Sequence, residues 1–225
     1  MAVTKLDTRR QAFHNDRYEW KLVMTMGRKR TFNVEQALDA ALAVFWRKGY
    51  EGTSYADLVA ATGLERPSLY SAFGNKEALF LRALTRYTEH YADYVSKALE
   101  LATSIEVAKA VLFGAVELST RYDDRMGCFG LNGGLAGSDE AEPARRALVA
   151  WRAEGEAALR HRFERAQEEG DLPPDTDCET LAAYVLALAH GIAVQAKAGF
   201  PCKTLMAVAQ QGLEGWPGRR DSSTP

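Results

Sequence analysis

The segment at residues 53–76, TSYADLVAATGLERPSLYSAFGNK, constrains this chain more than any other stretch. It reads as two short helices joined by a tight turn at Thr62-Gly63-Leu64-Glu65. Ser54 is a good N-cap for the first helix, with Asp57 at its third position. Gly63 suits the turn because a residue without Cβ adopts positive φ freely. Pro67 is tolerated in the first turn of the second helix, where its missing N–H has no helical partner to lose. Gly74-Asn75 closes the unit, and Asn75 caps a long helix that follows. A further helix precedes it at residues 34–48, capped by Asn33. Ala37, Leu38, Ala41, Leu42 and Phe45 form its apolar stripe at helical spacing. Leu58, Leu64, Leu69 and Phe73 are placed to knit the helix pair onto that stripe, and small Ala60 lets the pair cross closely. This is helix-turn-helix spacing.

Such a unit lays its second helix in the DNA major groove, with its N-terminal residues against base edges. Arg66 can bond guanine O6 and N7 together. Pro67 lies beside it, Ser68 and Ser71 are short hydroxyls within reach of bases or phosphates, and Tyr70 offers a ring and a hydroxyl. Lys76 opens the next helix, where its charge and the free N–H groups both attract phosphate. Thr53 and Ser54 are expected to hold phosphate in the same way. Arg28, Lys29 and Arg30 precede the first helix and can track phosphates or enter the minor groove. Charge is distributed accordingly. Residues 1–76 carry 12 Lys and Arg against 8 Asp and Glu, while the remainder carries 16 against 22. A basic head on an acidic body suits a chain whose N-terminal end meets a polyanion.

At these residues the chain resembles the tetracycline-repressor (TetR) family. The resemblance is carried by Gly49-Tyr50, Thr53-Ser54, the Leu58 and Gly63 pair, Leu69-Tyr70-Ser71-Ala72-Phe73, and Lys76-Glu77-Ala78-Leu79. Two positions depart from the usual pattern: Pro67 stands where a small residue is common, and Ser71-Ala72 where a histidine often sits. The resemblance implies an all-α fold of about nine helices. A three-helix DNA-binding head at 26–75 would precede a ligand-binding and dimerisation body at 76–216. It implies a homodimer on a near-palindromic double-stranded operator, a repressor released by a small-molecule inducer. It also places the dimer interface on the last two helices, as a four-helix bundle. Pairing two heads one helical turn apart adds affinity that a single head lacks.

Beyond the head, helices are expected near 76–101, 104–122, 127–136, 141–169, 177–199 and 202–214, with a flexible tail at 217–225. Residues 1–25 show no helical period and read as a disordered arm or a start-site artefact. On the last two helices Leu181, Tyr184, Val185, Leu188, Ile192, Leu205, Met206 and Ala209 are candidates for the interface. Between the long helices, Tyr87, His90, Tyr91, Tyr94, Phe113, Phe129, Asn132 and Trp151 are candidates for a ligand pocket, a mix of aromatic walls and few polar groups. Cys128 joins them. It lies near the expected start of a Gly-rich helix with Arg121 and Arg125 close by, an environment that favours thiolate. That opens an alternative, a repressor sensing oxidants or electrophiles through Cys128.

Other classes find little support. There is no GxSxG, phosphate loop, dinucleotide fingerprint or His-Glu metal motif, so no enzyme and no cofactor is expected. Cys128, Cys178 and Cys202 are few and widely spaced, and no Cys or His pair falls at a metal-ligand spacing. No run of about 18 uninterrupted apolar residues is present and no apolar leader is visible, so the expected place is the cytoplasm.

Overall fold

The computed structural model describes residues 32–123, 126–132 and 138–217. The extension expected at 1–25, the basic run Arg28, Lys29 and Arg30, and all of the expected tail beyond Pro217 lie outside the described residues. Those described are helices and their connections: α1 (Val34–Lys48), α2 (Tyr55–Thr62), α3 (Arg66–Phe73), α4 (Lys76–His90), α5 (Asp93–Ala98), α6 (Ser104–Thr120), α7 (Phe129–Asn132), α8 (Glu142–Glu168), α9 (Cys178–Lys197) and α10 (Cys202–Gln211).

Local chemistry sets the ends of the first helices. The Asn33 side chain accepts the N–H groups of Glu35 and Gln36, starting α1. Ser54 and Asp57 form a reciprocal capping box on α2. Gly63 ends α2 in the left-handed region at φ 67°, and its N–H returns to the Val59 carbonyl. Asn75 accepts the Ala78 N–H and starts α4.

The nine expected helices all appear, but the one expected at 76–101 is broken into α4 and α5. Tyr91, at the break, packs edge-on against Trp46 with centroids 5.1 Å apart. Tyr94, three residues on, lies against Gly114 of α6. One straight helix does not deliver both rings to these places, and the backbone turns at Tyr91 with φ −120°.

Two packed regions result. One is aromatic and joins α1 to α4 and α7: Phe45, Trp46, Phe80, Tyr87 and Phe129 are all buried in ring-to-ring contact. The other is largely aliphatic and lies among α6, α8, α9 and α10, around Val107, Leu112, Phe163, Ala182, Val185, Ile192 and Leu205. α9 is long and apolar enough, by length and composition, to cross a membrane. Here one of its faces is in that second core.

Candidate DNA-reading surface and cavity

The helix-turn-helix is α2 and α3, backed by α1 and α4. Leu58, Leu64, Leu69 and Phe73 are buried, as their spacing requires. Arg66 opens α3, with Pro67 next to it in the first turn. Arg66, Pro67, Tyr70 and Ser71 are exposed and Ser68 is half-buried. The Arg66 guanidinium lies over the Tyr55 ring, 4.2 Å from its centroid. Lys76 is half-buried, with its ammonium 4.5 Å from the Tyr50 ring centroid. Burial draws its pKa down, against the opposing pull of Glu140 and Glu51.

Thr53 requires a correction. It was expected to hold phosphate, but it is buried, and its hydroxyl donates to the Gly49 carbonyl at 2.7 Å. It fixes the connection between α1 and α2 instead. Ser54 stays exposed, with its hydroxyl engaged by Asp57. Lys48 reaches the same carboxylate at 2.6 Å. That bond first, and those from Ser54 next, hold the Asp57 pKa down at about 2.

Sequence reasoning did not single out Tyr55 or Trp46. Trp46, in the last turn of α1, is fully buried against Tyr87 and Tyr91. Its indole N–H donates to the Gly127 carbonyl at 2.9 Å. Asn132 donates to the Trp46 carbonyl at 2.8 Å and to Met126 at 2.6 Å. The segment 126–132 therefore grips the head directly. Arg86 of α4 adds a second tie, bonding Asp39 through two nitrogens and Glu35 through a third contact.

A cavity of about 270 Å³ lies between α4, α5, α6, α8 and α9. Of the expected pocket residues, Tyr87, Tyr94, Cys128 and Trp151 line it. The others do not. His90 is exposed at the end of α4. Tyr91 faces Trp46. Phe113 packs on the aliphatic core beneath Lys109. Phe129 stacks between Phe80 and Tyr87. Asn132 bonds the head. The break at Tyr91 separates Tyr87, His90, Tyr91 and Tyr94, which one continuous helix would have carried close together. Lining residues that the sequence reading passed over include Thr88, Ser119, Arg152 and His190.

Two glycines carried a signal that went unread. A Cβ at Gly114 would stand 2.2 Å from the Tyr94 ring, and one at Gly130 would stand 2.4 Å from the Trp151 ring. Both are places where a cavity wall presses on helix backbone. The Trp151 indole donates to Thr88 at 2.9 Å, and Arg152 donates to the Gly130 carbonyl at 2.7 Å.

The expected thiolate at Cys128 is also corrected. Burial pushes the thiol pKa up, and this outweighs the Tyr87 hydroxyl, the Gly130 and Leu131 N–H groups and Arg152. α7 has only four residues, and its first turn does not compensate for desolvation. The Tyr87 hydroxyl donates to the Cys128 sulfur at 3.7 Å. Burial likewise raises Tyr87 and Tyr94 and lowers His190. All four groups face the cavity uncharged near neutral pH.

The expected interface residues divide in two. Val185, Ile192, Leu205 and Ala209 are buried within the subunit's own core and are not available to a partner. Leu181, Leu188 and Met206 are half-buried, and Tyr184 is 45% exposed. Val194, Phe200 and Val208, not singled out beforehand, are exposed as well.

A helix-turn-helix with an arginine and a tyrosine exposed on its second helix, joined to a helical body enclosing a cavity, defines a DNA-binding transcriptional regulator. Bacterial regulatory proteins of the tetR family match residues 37–83, and the tetracyclin repressor-like C-terminal domain matches residues 108–207. The HTH-type transcriptional repressor ComR of Escherichia coli (strain K12) is 35% identical over 193 residues, 85% of this chain and 92% of ComR. YezE of Bacillus subtilis (strain 168), an uncharacterized HTH-type transcriptional regulator, is 33% identical over 71% of this chain and 84% of its own. Among solved structures, a triple cysteine variant of the TetR family regulator CifR, complexed with 26-base-pair operator DNA, is 38% identical. It superposes with a TM-score of 0.81 over 85% of this chain and 100% of that one. The chain belongs to the TetR family of helix-turn-helix transcriptional regulators, and it is not an enzyme.

Proposed function

We propose that this protein is a homodimeric repressor that reads a near-palindromic operator through α3 and is released by a small, largely apolar inducer. The observation that carries this reading is the course of α4. Its first residue, Lys76, stands beside the reading surface, and Tyr87 and Thr88 near its other end line the cavity. A ligand that moves α4 from the cavity side moves the head. Division at 75/76 therefore separates two tasks joined by a packed interface.

Arg66, with Ser68, Ser71 and Pro67 around it, makes the base-side contacts of this reading, and Tyr70 beside it turns its hydroxyl to the DNA backbone. Lys76 and Ser54 serve the phosphates, with Arg28, Lys29 and Arg30 on the approach. The operator complex of CifR supports it. Cavity chemistry sets the inducer class: aromatic and aliphatic walls, a few uncharged polar groups, Arg152 already bonded to backbone, and the exposed Glu154 as its one carboxylate. The dimer is supported by a face of α9 on which Ala183, Tyr184, Ala187, Gly191 and Val194 are all exposed, beside Val208 of α10. Small residues there permit a close helix crossing. The site of action is the cytoplasm, where the operator is.

Cys128 on the cavity wall favours one variant, in which the inducer contacts or modifies the neutral thiol. The test of the main reading is selection of bound DNA from a random pool, then measurement of Arg66→Ala and Tyr70→Ala on the recovered site. Arg66→Ala is expected to bind about 10- to 100-fold more weakly, the value of a good base contact, and Tyr70→Ala at least roughly fivefold more weakly, the value of one net hydrogen bond. Wild-type affinity in both variants overturns it.

A further inference from the structure

Tyr55 opens α2, yet its side chain reaches two other helices. Its ring stacks on Tyr70 of α3, with centroids 5.5 Å apart and planes 18° from parallel. The Arg66 guanidinium stands 4.2 Å from the Tyr55 ring centroid and 5.9 Å from that of Tyr70. The Tyr55 hydroxyl accepts the Lys76 N–H, the first of α4, at 3.1 Å. It donates to the Tyr70 hydroxyl oxygen at 2.9 Å.

These bonds have a direction. A backbone N–H can only donate, so Tyr55 is the acceptor there, and in its second bond the Tyr55 hydroxyl is the donor, with the Tyr70 oxygen accepting. Tyr70 therefore keeps its proton for a group outside the head, on a side chain that is 44% exposed. Hydrogen bonds in a chain polarise one another, so each strengthens the next. Consistent with this, the bond from Tyr55, and then Arg66, draws the Tyr70 hydroxyl below the usual phenol range. A more acidic hydroxyl is a better donor to an anion, and the anion beside a reading helix is the DNA phosphate.

We infer that Tyr55 is a positioning residue for operator binding. Its hydroxyl relays the first N–H of α4 to Tyr70, which donates to a backbone phosphate, and its ring is the shelf that aims Arg66 at the bases. Tyr55 acts through its neighbours, since both bonds of its hydroxyl are made within the protein, one to α3 and one to the start of α4. The relay also gives α4 a handle on α3: displacement of the start of α4 breaks the first bond of the chain. This inference rests on the DNA-reading function proposed above.

Two substitutions separate the relay from the shelf. Tyr55→Phe keeps the ring and removes the hydroxyl. On the selected operator it is expected to bind roughly fivefold more weakly, the value of one net hydrogen bond. Base preference should stay unchanged, because a phosphate contact carries no sequence information. In a Tyr70→Phe background the same change should cost nothing further. Tyr55→Ala removes the shelf too, and a repeated selection should return a site relaxed at the position Arg66 reads.

Wild-type affinity in Tyr55→Phe overturns the relay. So does an equal loss in the wild-type and Tyr70→Phe backgrounds, which leaves Tyr55 as scaffold only. Unchanged base preference in Tyr55→Ala overturns the shelf. If Tyr55→Phe does not fold, Tyr70→Phe at its exposed position carries the test: the relay requires the same roughly fivefold loss there, and wild-type affinity overturns it. A wild-type chain that enriches no site from the pool overturns the DNA-reading function itself.

Discussion

The two ends of α4 have opposite chemistry. At Lys76 the helix start is half-exposed, its first N–H goes to Tyr55, and a cation rests on the Tyr50 ring. Near the other end, Tyr87 is fully buried, its hydroxyl is bonded to the Cys128 sulfur, and burial pushes its pKa well up. One end offers charge to a polyanion in water. The other presents mainly uncharged groups to a small cavity. A single rigid element thus holds two binding chemistries apart while keeping them mechanically joined, because a helix transmits displacement along its axis far better than a loop does.

Trp46 ties the head to the cavity end of α4, so removing it should break the comparison most severely. It packs on Tyr87 of α4 and bonds the segment that carries Cys128. Trp46→Ala is expected to destabilise the protein by about 3–5 kcal/mol, as for other buried aromatic truncations. Urea unfolding measures this. A loss under about 1 kcal/mol would mean the head and the cavity are not packed as one body.

A smaller effect, confined to the cavity end, is expected from Gly114→Ala. The added Cβ meets the Tyr94 ring, so the ring must shift, and overpacking of this kind costs about 1–3 kcal/mol. Operator affinity, measured at a temperature where both proteins are folded, should stay within roughly twofold, because surface contacts far from a packing change usually add independently. A large loss of DNA binding would show that the resting shape of the cavity sets the head even without an inducer.

The smallest expected effect concerns Cys128. A free thiol ionises near pH 8.5, about one unit either way. Burial raises Cys128, which means less thiolate at neutral pH and ionisation displaced to more alkaline conditions. Iodoacetamide should alkylate exposed Cys202 faster than Cys128 near neutral pH. The Cys128 rate should still be climbing above about pH 9. Mass spectrometry of the native protein after timed labelling gives both rates. Rapid neutral-pH labelling of Cys128 would restore a thiolate sensor and erase the contrast between the two ends of α4.

The head was legible because its rules are local. Asn33, Ser54, Gly63, Pro67, Gly74 and Asn75 act on residues within one turn of themselves: α2 and α3 begin and end, and α1 and α4 begin, where those residues dictate. Leu58, Leu69 and Phe73 had one inward side, fixed by helical spacing. Thr53 was misread because it precedes α2, where no periodicity tells an inward hydroxyl from an outward one. Half of the residues expected at an interface, Val185, Ile192, Leu205 and Ala209, lie in the core for a related reason. α9 is apolar nearly all round, so spacing does not tell which apolar residues meet this subunit's own core. Val185 and Ile192 turned inward, and Tyr184 and Val194 outward.

What the sequence determined by itself is the helix-turn-helix at residues 53–76: its caps, its turn, its buried leucines and the exposed Arg66 and Tyr70. Those features arise from contacts between residues close in the chain, where backbone geometry leaves few alternatives. Tertiary structure alone decided that Tyr91 serves Trp46 while Tyr94 serves the cavity, that the half-buried Cys128 thiol is held neutral by desolvation, and that Tyr55 joins three helices. Each of these depends on a neighbour far along the chain or on the loss of water around a group, and neither is written in local spacing.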